Sequence, residues 1–74
     1  MRFDLQEVPK GKNLHLIGWN AGYLLVQFRG KPDRWIYGPD LPRERFEQLL
    51  RVPYPDSLFS KVIRGKFKSH KIGS

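Results

Sequence analysis

Lys12-Asn13-Leu14-His15-Leu16-Ile17-Gly18-Trp19-Asn20-Ala21-Gly22-Tyr23-Leu24-Leu25-Val26-Gln27-Phe28-Arg29 is the stretch on which the fold turns. Apolar residues dominate it, and Asn20-Ala21-Gly22 interrupts it once, where Asn and Gly tolerate positive φ. The run from Lys12 to Trp19 reads as a strand with Leu14 and Leu16 on one face and His15, Ile17 and Trp19 on the other. The run from Tyr23 to Arg29 reads as a second strand, with Leu24, Val26 and Phe28 pointing one way and Tyr23, Leu25 and Gln27 the other. Two such runs around a short Asn/Gly loop predict a β-hairpin.

Downstream, Gly30-Lys31-Pro32-Asp33 is turn chemistry, and Arg34 to Tyr37 is a short third strand closed by Gly38-Pro39. Links this short permit only antiparallel neighbours. Asp40 to Arg51 then carries Phe46, Leu49 and Leu50 at helical spacing. Asp40 suits a cap, Pro42 a first turn and Arg51 a C-terminal end. Pro53 and Pro55 stop this helix. A second helix, capped by Asp56 or Ser57, is expected from about Leu58 to Arg64, with Leu58/Val62 and Phe59/Ile63 facing the sheet and Gly65 closing it. Upstream, Met1 to Gly11 alternates weakly at Phe3 and Leu5. The expected fold is α+β: a three-stranded antiparallel β-meander followed by two short helices packed on one face. Residues 1–11 form an arm or edge strand, 12–67 the domain, and 68–74 a flexible basic tail. The second sheet face is left bare unless the arm covers it.

Composition restricts function. A chain of 74 residues buries only about 60% of its unfolded surface. It is not expected to enclose a small-molecule cavity of roughly 300–1,000 Å³, so its site should be a surface, a shallow groove or an interface between copies. There is no cysteine, which removes disulfides, thiolate nucleophiles and cysteine zinc sites. No apolar run approaches the roughly 20 residues of a membrane span, and Met1 to Leu5 lacks the apolar centre of a signal peptide. A cytoplasmic setting is expected, in a bacterium or in a phage's bacterial host.

The net charge of +7 is unevenly placed. Residues 1–56 hold nine Lys/Arg against seven Asp/Glu, leaving +2; residues 57–74 hold five Lys/Arg and no acid, leaving +5. Lys61, Arg64, Lys66, Lys68 and Lys71 therefore form a basic C-terminal segment. If extended, it would place Lys66, Lys68 and His70 on one side. It can meet phosphates, meet an acidic protein surface, or serve as a solvated tail. Trp19, Tyr23, Trp35 and Tyr37 lie on the meander near Arg29, Lys31 and Arg34. Aromatics in such company stack unpaired bases, anchor protein partners, or stabilise a small sheet by cross-strand pairing.

Catalytic constellations are sparse. His15 reads as a structural strand histidine and His70 as a solvated one. Ser57 is explained by capping, and Glu44 and Glu47 by ion pairs with nearby arginines. No metal-spaced cluster or phosphate loop is present, so neither an enzyme nor a bound metal or cofactor is expected.

In order along the chain, Ile17-Gly18-Trp19-Asn20, Leu24-x-Val26-x-Phe28, Trp35-Ile36-Tyr37, Leu41-Pro42 with Phe46 and Leu49-Leu50, and Phe59 with Ile63-Arg64-Gly65-Lys66-Phe67 resemble the KTSC domain family. This small module is named for its occurrence at the C-terminus of some lysyl-tRNA synthetases. The resemblance spans Leu14 to Phe67. It departs at Tyr54-Pro55-Asp56, where the family carries a Ser-x-Gly segment. It implies a meander with helices and an accessory, nucleic-acid-associated module without established catalysis. Arg64 belongs to the recurring Ile-Arg-Gly, either as a salt bridge or helix-end contact or as a ligand contact. In size and character the chain is also similar to bacteriophage-encoded regulators that bind host RNA polymerase.

Three functions are expected in order: docking on nucleic-acid machinery such as RNA polymerase; direct RNA or DNA binding; and sequestration of an anionic nucleotide between subunits of an oligomer. A monomer is favoured over the last. The candidate binding residues are Trp19, Arg34, Trp35, Tyr37, Lys61, Arg64, Lys66, Lys68 and Lys71.

Overall fold

A computed structural model describes residues 2–72. The chain is α+β, with five strands where the sequence reading expects three. In chain order these are β1 (Gln6–Glu7), β2 (Leu14–Asn20), β3 (Tyr23–Phe28), β4 (Arg34–Tyr37), α1 (Arg43–Arg51), α2 (Pro55–Val62) and β5 (Ser69–Ile72). The strands lie side by side in the order β1-β2-β3-β4-β5, each antiparallel to its neighbour. The two additional strands are the edges. β1 is a two-residue strand within the N-terminal arm. β5 takes residues 69–72 out of what reads as a flexible tail, while Gly73 and Ser74 lie outside the described residues.

The hairpin forms where expected, although its faces differ from simple alternation. Leu14 pairs with Phe28 but Leu16 pairs with Gln27, so the register shifts between them. This is a β-bulge, with an extra residue on β2. The expected grouping of Leu14 with Leu16 is therefore corrected: Leu14 shares a face with Ile17 and Trp19, opposite Val26 and Leu24. That face also carries Trp35 and Tyr37, which pair with Val26 and Leu24. Leu14, Ile17, Leu24, Val26 and Tyr37 are buried with Val8, Leu41, Phe46, Leu49, Phe59 and Ile63 in one core. The hairpin turn is Ala21-Gly22, both at positive φ. Asn20 instead remains in the strand and donates from its side chain to the Arg2 carbonyl.

Both helices lie on this face. α1 starts after Pro42, which shows no side-chain cap, and Asp40 does not cap it. α2 starts earlier than expected, with Pro55 in its first turn after Tyr54. Phe59 meets Phe28 and Tyr37 edge-on, at ring-centroid distances of 5.9 and 5.2 Å, and so seats α2 over β3 and β4.

The opposite face is partly covered by the arm. Gly18 is buried beneath it, and a Cβ there would lie 3.1 Å from the Phe3 Cβ and 3.2 Å from the Asp4 carbonyl oxygen. Leu25, beside Gly18 in the register, is also buried.

Asp56 neither caps its helix nor stands free. Its carboxylate accepts backbone N–H groups from Lys12 (2.7 Å), Asn13 (3.1 Å) and Leu14 (3.0 Å), tying the start of α2 to the loop before β2. Partial desolvation pushes its pKa up, but these backbone donors outweigh it and hold the carboxyl below its ordinary value. A depressed folded-state pKa stabilises the fold above the unfolded value, and that contribution is lost as pH falls through the folded one. Asp56→Asn should cost about 1–2 kcal/mol at neutral pH, a range kept low because the site is largely solvent-screened. Urea denaturation of both proteins should show the gap closing as the pH drops below about 4. A gap that stays constant with pH would exclude the carboxylate latch.

Candidate functional site

Two short helices do not cover the whole face of a five-stranded sheet. The uncovered part lies over the β3 end, β4 and β5, and forms an open groove of about 560 Å³. The volume is left open rather than enclosed, which is one of the forms of site expected for so small a chain. Phe28, Trp35 and Tyr37 supply aromatic walls; Arg29, Lys31 and Arg64 supply cations; Asn13, Asp33, Gly65 and Ser69 complete the lining.

Each lining group has a local reason for its place. Trp35 and Tyr37 alternate with Ile36 on β4, so both face the helices. Arg64 follows the last turn of α2, where Gly65 at φ +82° bends the chain toward β5. Arg29 and Lys31 belong to the β3–β4 turn, which Gly30 passes at φ +77°. Asn13 is positioned by the Asp56 latch. Lys71, opposite Trp35 in the register, reaches Asp33 at 3.4 Å in an exposed ion pair. Burial pushes the Tyr37 phenol above its ordinary pKa, with the Arg64 guanidinium pulling the other way. The phenol therefore stays protonated near neutral pH, as a hydrogen-bonding group in a cationic groove.

The structure brings together Trp35, Tyr37 and Arg64 from the expected set, with Lys71 beside them. It separates the others. Trp19 is engaged elsewhere: its indole N–H donates to the Leu41 carbonyl at 2.8 Å, and the Arg43 guanidinium lies 5.9 Å from its ring centroid. Arg34 points to the opposite sheet face, where its Nε bonds the Gln27 side chain at 3.3 Å. Lys61, Lys66 and Lys68 are exposed and do not line the groove. Sequence reasoning noted Arg29 and Lys31 as flanking charges but left them outside the site. It missed Asn13, Asp33, Gly65 and Ser69, which reach the groove only through the tertiary fold and give no local signal.

His15 sits at the bulge, half-buried, with Nδ1 lacking a hydrogen-bond partner, and His70 is exposed on β5. Among the described residues no three His, Asp or Glu side chains cluster as metal ligands. No helix among them is long and apolar enough to cross a membrane. The departure at Tyr54-Pro55-Asp56 holds an intramolecular contact through Asp56.

No protein-family profile matches the chain, and no curated protein does. Among solved structures, the crystal structure of a KTSC domain protein from Yersinia pestis is similar, with a TM-score of 0.82 and 26% sequence identity. The match covers 97% of this chain and 100% of that one.

The two tryptophans should separate by experiment. Trp19→Phe leaves the Leu41 carbonyl without its donor and should cost about 1 kcal/mol of stability, read as a shift in the urea midpoint, with the groove unaltered. Trp35→Phe retains an aromatic wall and breaks no such bond, so its midpoint should move less. The reverse order would place the structural tryptophan at Trp35.

Proposed function

The chain belongs to the KTSC domain family, and from that premise we propose that it is a non-enzymatic binding protein that docks on nucleic-acid machinery. RNA polymerase is the partner we favour and modulation of transcription the outcome, in the bacterial cytoplasm. The observation that carries this reading is the groove: aromatic walls with Arg29, Lys31 and Arg64 around them. Aromatic residues and arginine are the side chains that dominate protein-interface energetics, and the cations select an acidic partner. Asp33 lies inside the same lining. One carboxylate there disfavours a continuous run of phosphates, while a partner with discrete acidic residues can avoid it. The groove forms within one chain and needs no second copy.

Direct binding of single-stranded RNA or DNA is the second reading, favoured by Trp35 itself. An indole beside cations can stack a base, worth about 1–3 kcal/mol, while Arg29 or Lys31 meets the phosphate.

The two readings separate in a pull-down from a bacterial lysate treated with nuclease. RNA polymerase subunits should be recovered, and the double variant Lys31→Glu/Arg64→Glu should reduce recovery roughly tenfold, the change that 1.4 kcal/mol produces. Recovery that disappears with nuclease treatment, together with an electrophoretic shift of random RNA or DNA at ~150 mM salt, would replace the first reading with the second.

A further inference from the structure

The sheet ends at β5, and among the described residues nothing pairs with its outer edge. Its register fixes which backbone groups face outward. The Gly38 N–H donates to the Lys68 carbonyl at 3.0 Å, so Gly38 and Lys68 form a hydrogen-bonded pair in the ladder that continues through Ile36↔His70 and Arg34↔Ile72. Hydrogen-bonded and non-hydrogen-bonded pairs alternate in an antiparallel ladder. His70 and Ile72 therefore turn their backbone groups toward β4. Ser69 and Lys71, opposite Tyr37 and Trp35, turn their N–H and C=O groups out. Their side chains lie on the groove side: Ser69 lines the groove, and Lys71 reaches Asp33 above it.

We propose that this edge accepts an extended acidic segment of the protein partner as a sixth strand, with its alternate acidic side chains over the groove. The inference rests on the acidic-partner reading above and adds its geometry. Strand addition supplies affinity through main-chain hydrogen bonds and specificity through alternate side chains. Residues opposite Ser69 and Lys71 on the added strand point to the same face as those two. Acidic residues two apart would thus lie beside Lys71 and the Arg64 side of the groove. The charge fits: residues 57–74 contain five Lys/Arg and no acid. The Lys71–Asp33 pair is exposed on the lysine side, with 53% of that side chain accessible, so an incoming carboxylate can take over Lys71 at little cost.

A second copy is the poorer occupant. Antiparallel pairing of β5 with itself must set outward residues opposite outward ones, Ser69 against Lys71 or Lys71 against Lys71. Either register brings both basic segments together, and like charges directly opposite are destabilising. Lysine on an edge strand guards against unwanted pairing, but it does not repel an acidic strand.

The probe is an acetylated, amidated peptide of alternating glutamate and valine, about eight residues long, the extended form that strand addition requires. Its binding is measured calorimetrically at about 20 mM salt, where charge attraction is little screened. Ser69→Pro removes one outward N–H and changes no charge. Proline is tolerated on an edge where the N–H faces solvent, and Ser69→Ala controls for the hydroxyl. Binding should weaken about tenfold or more in Ser69→Pro, stay unchanged in Ser69→Ala, and weaken similarly when alternate amides of the peptide are N-methylated and tested on the unaltered protein. Equal binding by Ser69→Pro and by the N-methylated peptide, with loss in Arg64→Glu, would overturn strand addition and leave the acidic-partner reading standing. No binding of the peptide to the unaltered protein would overturn both. Sedimentation showing a dimer that Ser69→Pro abolishes would assign the edge to a second copy and overturn the proposal.

Discussion

The edge-on seating of Phe59 between Phe28 and Tyr37 is the contact on which the arrangement depends. It fixes α2 over β3 and β4. Everything that follows α2 is placed by it: Arg64 at the groove, Gly65 turning the chain, and β5 pairing back onto β4. The seat is aromatic on both strands it touches, so it combines burial with a geometric preference that a purely aliphatic contact lacks. Ile63, fully buried at the C-terminal end of α2, and the Asp56 carboxylate at its N-terminal end hold the helix at both termini. A helix of eight residues is too short to be stable alone, and these tertiary contacts supply what its length cannot.

The groove is the consequence of a mismatch in size. Five strands present a wider face than two short helices can cover, and the core gathers under the helices, toward β2 and β3. What remains over β4 and β5 is aromatic at its base because Trp35 and Tyr37 alternate inward. It is cationic at its edges because the β3–β4 turn and the segment after α2 are rich in Lys and Arg. In this way a chain of 74 residues can keep a small core and still present an open site.

Much of this was legible in the sequence. The hairpin, β4, both helices and Leu24, Val26, Phe46, Leu49, Phe59 and Ile63 as core residues follow from periodicity and turn chemistry. The family resemblance agrees with the similarity to the Yersinia pestis domain. What escaped was set by tertiary context. A bulge leaves no mark on the alternation of Leu14-His15-Leu16-Ile17, yet it decides which of these residues are core. Ser69-His70-Lys71-Ile72 has the composition of a solvated tail, and only pairing with β4 makes it a strand. Asp56 has the position of a helix cap, but its partners are more than forty residues away. Trp19 and Trp35 look equivalent, each on a strand run of the meander. The Leu41 carbonyl commits the first to the scaffold, and the groove claims the second.

The central claim is that the uncovered part of the helix-side face is where this protein meets its partner. A backbone-amide NMR titration of the labelled protein, run in parallel with a polyglutamate peptide and with a short oligothymidine, tests it most directly. Shifts should concentrate at Arg29 to Asp33, Arg64 to Gly65 and Ser69 to Lys71 with the peptide, at lower concentration than with the oligonucleotide. Shifts confined to α1 or to the arm-covered face, with the groove residues unmoved by either probe, would contradict it.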